Sequence, residues 1–185
     1  MTELRYGLHD RIEARLISSG LNVYDGGMGM ADLGIGAKLA LVAEQKGIIP
    51  QTSIRGDFYI PFGDSNTSWG GFYHNELFMT HHNLSDHTTL LTNIGPSVYP
   101  ASNKTNIDMQ YSIALGHAIN DKWGIFTDVY GSWSIDSITG NPVSVDAGAT
   151  YNVNDNVSTW ASIALGLSES APDINLGVGI AVGLL

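Results

Sequence analysis

The sequence predicts an all-β protein, an antiparallel up-and-down transmembrane β-barrel. Three observations predict it: long segments with period-two alternation, Asp-centred turns that recur one hairpin apart, and Gly scattered through apolar segments, where it weakens helices. From Lys122 to Asp136 one parity holds Trp123, Ile125, Val129, Trp133 and Ile135, and the other holds Gly124, Phe126, Asp128, Tyr130, Ser132 and Ser134. The same split runs from Ile107 to Ile119, Val143 to Val153, Val157 to Gly166 and Ile174 to Leu184. Each segment reaches the roughly 9 to 11 residues that cross a bilayer as a tilted strand. Soluble strands are nearer about 5 to 6. No run of about 18 to 20 apolar residues exists to make a spanning helix.

The turns repeat. Tyr6-Gly-Leu-His-Asp, His82-Asn-Leu-Ser-Asp, His117-Ala-Ile-Asn-Asp and Tyr151-Asn-Val-Asn-Asp share one pattern: an aromatic or His, any residue, an aliphatic, a polar residue, then Asp. The tight-turn residues are therefore Asp10, Asp86, Asp121 and Asp155, with a fifth turn near Gln45-Lys46-Gly47. Asn-Asp and Ser-Asp suit such turns because they tolerate left-handed backbone and bond to it locally. Tyr6, His82, His117 and Tyr151 fall on the apolar parity, and are expected in an interfacial girdle. Longer polar connections, near residues 24–32, 63–71, 100–106, 136–142 and 168–173, occupy the other rim. Short turns on one side and long loops on the other is the outer-membrane arrangement.

The count is eleven strands in a single domain spanning residues 1–185. An even, closed barrel needs a twelfth, so a signal peptide and a first strand are expected upstream; ten strands remain if Met1–Leu8 is not one.

Composition agrees. Charged residues are 14% of the chain, against about 25% in an ordinary soluble domain. The net charge of −10 argues against a nucleic-acid partner, since phosphate binding needs clustered Lys and Arg. The absence of Cys excludes disulfides, thiol catalysis and Cys-based zinc sites.

Leu4-Arg-Tyr-Gly-Leu-His-Asp-Arg-Ile-Glu, the stretch Tyr111–Gly131, Asp146–Val157 and the Gly-rich last strand resemble the family of outer-membrane proteins named for the meta-pathway of phenol degradation. The resemblance covers most of the chain and implies a transporter-like barrel for aromatic or other hydrophobic compounds. It brings no catalytic motif and no cofactor. It implies a bilayer and lipopolysaccharide as surroundings, in the bacterial outer membrane. The ending Leu184-Leu185 departs from the terminal Phe of many such barrels.

Eight charged residues fall on the polar parity and are the lumen-lining candidates: Glu13, Arg15, Lys38, Arg55, Asp57, Asp108, Asp128 and Asp146. An Arg or Lys facing lipid at mid-depth costs about 2 to 4 kcal/mol, so these belong inside. Five acids against three bases would favour cations modestly in a water-filled passage. The loop acids Asp25, Asp32, Asp64, Glu169 and Asp173 read as a solvated face.

His74, His81, His82 and His87 do not make a metal site by spacing. Neighbouring strand residues point to opposite faces, and His74 and His82 are about 26 Å apart along a straight strand. Glu76 and His82 fall on the lipid parity, which suggests a bulge there. No Gly-x-Ser-x-Gly elbow or ordered Ser/His/acid set marks an enzyme. The reading is a passive channel for small, hydrophobic or aromatic molecules. Its competitors are a soluble lipocalin-like barrel and a plugged structural barrel without transport.

Overall fold

The computed structural model describes the chain except residues 1, 19, 25–26, 102–103, 136–139 and 184–185. Asp25 thus lies outside the described residues. Among the described residues thirteen strands follow one another: β1 (Thr2–His9), β2 (Ile12–Ser18), β3 (Leu21–Tyr24), β4 (Gly27–Met30), β5 (Leu33–Val42), β6 (Gln51–Ile60), β7 (Tyr73–Asn83), β8 (Thr88–Ala101), β9 (Lys104–Ala118), β10 (Trp123–Ser134), β11 (Val143–Asn154), β12 (Val157–Gly166) and β13 (Ile174–Val182). Eleven of them form one sheet in chain order, every neighbour antiparallel, as the alternation predicts. β3 and β4 form a separate hairpin within the first long connection.

Register shows which residues share a face. One row runs Arg15, Gly36, Asp57, Asn75, Ser97, Asp108, Ser134 across β2 and β5 to β10. This face is the buried one: Ile17 is 1% exposed, Asp57 2% and Ser97 3%. The other face carries Ile35, Leu39, Ile113, Ile125 and Ile163, all exposed. So wide an apolar exterior is stable only against a non-aqueous neighbour. It also argues against a lipocalin-like barrel, which points charge outward.

The sheet bends round on itself. Arg5 of β1 and Ala181–Gly183 of β13 line the same cavity, of about 470 Å³, at the short-turn rim. Among the described residues no ladder joins β1 to β13.

Several large inner-face side chains lie over a glycine on the next strand. A Cβ on Gly34 would come within 2.8 Å of the Tyr59 ring, and one on Gly177 within 2.7 Å of Trp160. Phe126 covers Gly148 in the same way. Part of the Gly content is therefore room for inner-wall rings, since only a residue without Cβ admits them.

Three of the turns are held by the residue before the predicted Asp. Asn120 Oδ1 accepts from the amides of Lys122 and Trp123, Asn154 Oδ1 from Asn156, and Ser85 Oγ from His87 and Thr88. The fifth connection is longer than a tight turn. It spans residues 43–50, with Lys46 bridged to Ile49 and Gly47 at φ +59°.

The bulge expected around Glu76 is not there. Residues Gln51 to Tyr59 pair one-for-one with His81 to Tyr73, and β7 meets β8 in one register at both ends. Glu76 stays on the outer face, where its Oε1 lies 2.8 Å from His74 Nδ1. A local partner on the same face removes the need for an extra residue to re-aim it. Register shifts occur near strand ends instead, at Gly7/His9, Ala40/Val42 and Asn152/Asn154.

Candidate functional site: the inner wall

All eight lumen-lining candidates lie on the inner face, in two groups. The first is an ion ladder on β1, β2, β5 and β6. Arg15 Nη2 donates to Glu3 at 2.7 Å, Nη1 to Glu13 at 3.4 Å and Nε to Asp57 Oδ1 at 3.2 Å. Arg55 Nε lies 2.9 Å from Asp57 Oδ2 and Arg5 Nε 3.3 Å from Glu3 Oε1. Lys38 stands between Glu13 and Arg55 in register.

Gly36 makes the ladder possible. It sits on β5 directly between Arg15 and Asp57, and a Cβ there would collide with the Asp57 carboxylate. The missing side chain is a window through which β2 reaches β6. Glu3 and Arg5 belong to the ladder but are missing from the sequence-derived set, although their alternation with Leu4 and Tyr6 could have placed them there.

The second group is acidic: Asp108 on β9, Asp128 on β10 and Asp146 on β11. Asp108 Oδ2 accepts from Tyr99 Oη at 2.7 Å. Asp128 and Asp146 stand directly opposite each other, and the Oδ1 of each is shut off from solvent without a hydrogen-bond partner. The ten charges of the two groups, six acids and four bases, are thus segregated. The bases lie on β1 to β6, and β9 to β11 carry acid alone at mid-strand.

An aromatic cluster occupies the long-loop end. Tyr59 stacks on Tyr73 at 4.8 Å between centroids, and Trp69 packs on Tyr73 at 5.7 Å and Tyr99 at 5.2 Å. Asn75 Nδ2 and Ser97 Oγ both donate to Tyr73 Oη. Trp69 arrives from the connection 61–72, which is anchored. Asp32 accepts from the amides of Gly63 and Trp69, each at 3.0 Å, and Asp64 Oδ2 from Met30 N at 2.6 Å.

The reading of Asp32 as a solvated acid is therefore corrected; Asp64 accepts a backbone amide but stays exposed, as expected. Asp32 is 2% exposed, because four loop amides and hydroxyls converge on it. Burial pushes its carboxyl up, but hydrogen bonds from Ser68, Trp69, Gly63 and Phe62 outweigh burial and hold it below the usual range. A carboxylate with a depressed folded pKa stabilises the structure above its unfolded value, and that contribution is lost as pH falls through the folded one. Protection of the 61–72 loop from proteolysis should be constant from neutral pH to about 5 and fall below about 4. Asp32→Ala should remove it at every pH, at a local cost of about 1 to 3 kcal/mol. Unchanged cleavage kinetics in the variant would refute the anchor.

Tyr6, His82, His117 and Tyr151 all lie on the outer face, next to the short turns. Tyr151 packs on Trp123 at 4.7 Å, and His117 Nδ1 lies 3.0 Å from Thr88 Oγ1. His81 points inward and His82 outward, so they share no ligand.

With this geometry in hand, similarity to known proteins is informative. The family described as "Putative MetA-pathway of phenol degradation" matches residues 6–184. No curated protein matches. Among solved structures, an outer membrane channel from Pseudomonas putida F1 superposes with a TM-score of 0.71 at 13% identity, over 97% of this chain and 80% of that one. At that identity the likeness speaks for the fold.

Proposed function

The chain belongs to the phenol-degradation MetA-pathway family, a β-barrel of the outer membrane, and we propose on that premise that it is a passive channel for small molecules, aromatic compounds among them. The observation that carries this reading is the inner wall: it holds the charged side chains and many polar and small ones, with aromatic rings and a few aliphatics such as Ile17 and Leu77 among them, while most large aliphatic side chains face out. Such a wall supports a hydrated path for passive diffusion. The Trp69–Tyr73–Tyr99 cluster supports aromatic solutes, because offset and edge contacts between rings favour planar guests. Six inner-face acids against five bases, Lys104 at the strand end included, favour cations over anions. Lipopolysaccharide is the expected neighbour of the long-loop rim.

The ion ladder also favours a second reading. Arg15, Asp57 and Glu3 fill the space beside β2, so a plugged barrel would show the same contacts. Planar-bilayer recording separates the two. The channel reading expects discrete steps with cation preference, and liposomes that admit phenol-sized solutes. Silence in both assays would remove it. Trp69→Ala should slow entry of aromatic solutes several-fold more than entry of a sugar of similar size; equal effects would sink the aromatic role.

A further inference from the structure

We propose that Asp128, Asp146 and the cavity beside them form a binding station for a small organic ammonium ion. The proposal rests on the channel reading for its setting and adds a ligand class to one wall. Two carboxylates directly opposite in an antiparallel pair repel, and native sheets rarely keep that arrangement without a compensating charge. Among the described residues no Lys or Arg forms an ion pair with either. The inner-face neighbours are Ser112, Ala114 and Gly116 on β9, Phe126 and Tyr130 on β10, Ser144 and Gly148 on β11, and Ser162 and Ala164 on β12. Lys122 is six residues from Asp128, about 20 Å along the strand, and Lys104 lies at the far end of β9.

The cavity is the independent observation. It measures about 270 Å³ and is lined on the inner face by Gln110, Tyr130, Ser132, Ser144, Ala164 and Asn175. Asp146 pairs directly with Ala164, which pairs with Asn175, so the carboxylates adjoin this lining. Tyr130 and Ser144 are each two residues from an Asp on the same face. Ser144 is 5% exposed and lines the cavity. Pro142 and Pro172 flank the cavity from the long loops. An alkyl- or arylammonium fits this chemistry. Its three N–H donors meet the carboxylates and a hydroxyl, and its organic part takes the cavity. A carboxylate would face two like charges. A neutral alcohol would leave the carboxylates uncompensated.

The test is isothermal titration of the full chain in detergent with benzylammonium, benzyl alcohol and benzoate. Benzylammonium should bind at least ten-fold more tightly than benzyl alcohol, benzoate should not bind, and added NaCl should weaken the ammonium alone. The isosteric double variant D128N/D146N should lose the preference, while the loop variant E169Q keeps it. Heat-modifiable gel migration establishes that each variant is folded. Equal affinity for the three probes, no binding by the wild type, or an undiminished preference in the double variant would each overturn the station. Bilayer recording separates this from the channel reading: steps without ammonium binding overturn the station alone, and binding without steps supports the station while removing the channel.

Discussion

Replacing Asp57 by Ala is expected to destabilise the folded barrel by about 3 to 5 kcal/mol, the largest single effect on the inner wall. Asp57 is 2% exposed and is shared by Arg15 and Arg55. Its removal leaves two guanidinium groups facing an interior that has lost their common counter-charge. Breaking one member of a buried network costs far more than the network contributes net, because the survivors keep their desolvation penalty. Arg15 keeps Glu3, so the effect should sit toward the lower end of that range. Asp57→Asn should be milder, since one carboxamide oxygen still accepts. Gly36→Val should reproduce part of the loss from a residue with no charge, by closing the window between Arg15 and Asp57. Urea unfolding in detergent, followed by tryptophan fluorescence, measures all three. An Asp57→Ala protein as stable as the wild type would show that the ladder is solvated and carries no energy.

Ile113→Arg and Ala114→Arg should give opposite results, although the two residues are consecutive. Ile113 is exposed on the outer face near the middle of β9, paired with Val129 and Thr92. An Arg there meets hydrocarbon and should cost about 2 to 4 kcal/mol. Ala114 faces inward opposite Asp128, where an Arg gains a carboxylate. Its variant should be within about 0.5 kcal/mol of the wild type or more stable, in the range of ordinary well-tolerated changes. Unfolding from liposomes is the appropriate measurement, because detergent softens the penalty on the outer face. Equal losses at the two positions would contradict the assignment of faces on β9.

The legibility of these residues in the sequence differs for a physical reason. Asp128 and Val129 could be assigned to opposite faces from the chain alone, because a strand turns each successive side chain through half a turn. The same rule put Glu13, Arg15, Lys38, Arg55, Asp57, Asp108 and Asp146 inside and Tyr6, His117 and Tyr151 outside. Face is a local property. Partnership is not. That Arg15 meets Asp57, 42 residues away, depends on the register of three strands and on a glycine between them. Asp32 looked solvated because nothing near it in sequence binds it; its partners Gly63 and Trp69 come from a loop more than thirty residues on.

By itself, then, the sequence determined the strand class, the order of turns and the two-faced character of each strand, since all of these follow from period two and turn chemistry within a few residues; the family came from the resemblance of whole segments. Only the tertiary structure decided how the inner charges segregate, which acids anchor a loop, where aromatic rings gather and where two carboxylates confront each other beside a cavity. Those depend on register and on bending of the sheet. Both are set by cross-strand hydrogen bonds and by the fit of side chains over glycines, and neither leaves a signal at any one position of the chain.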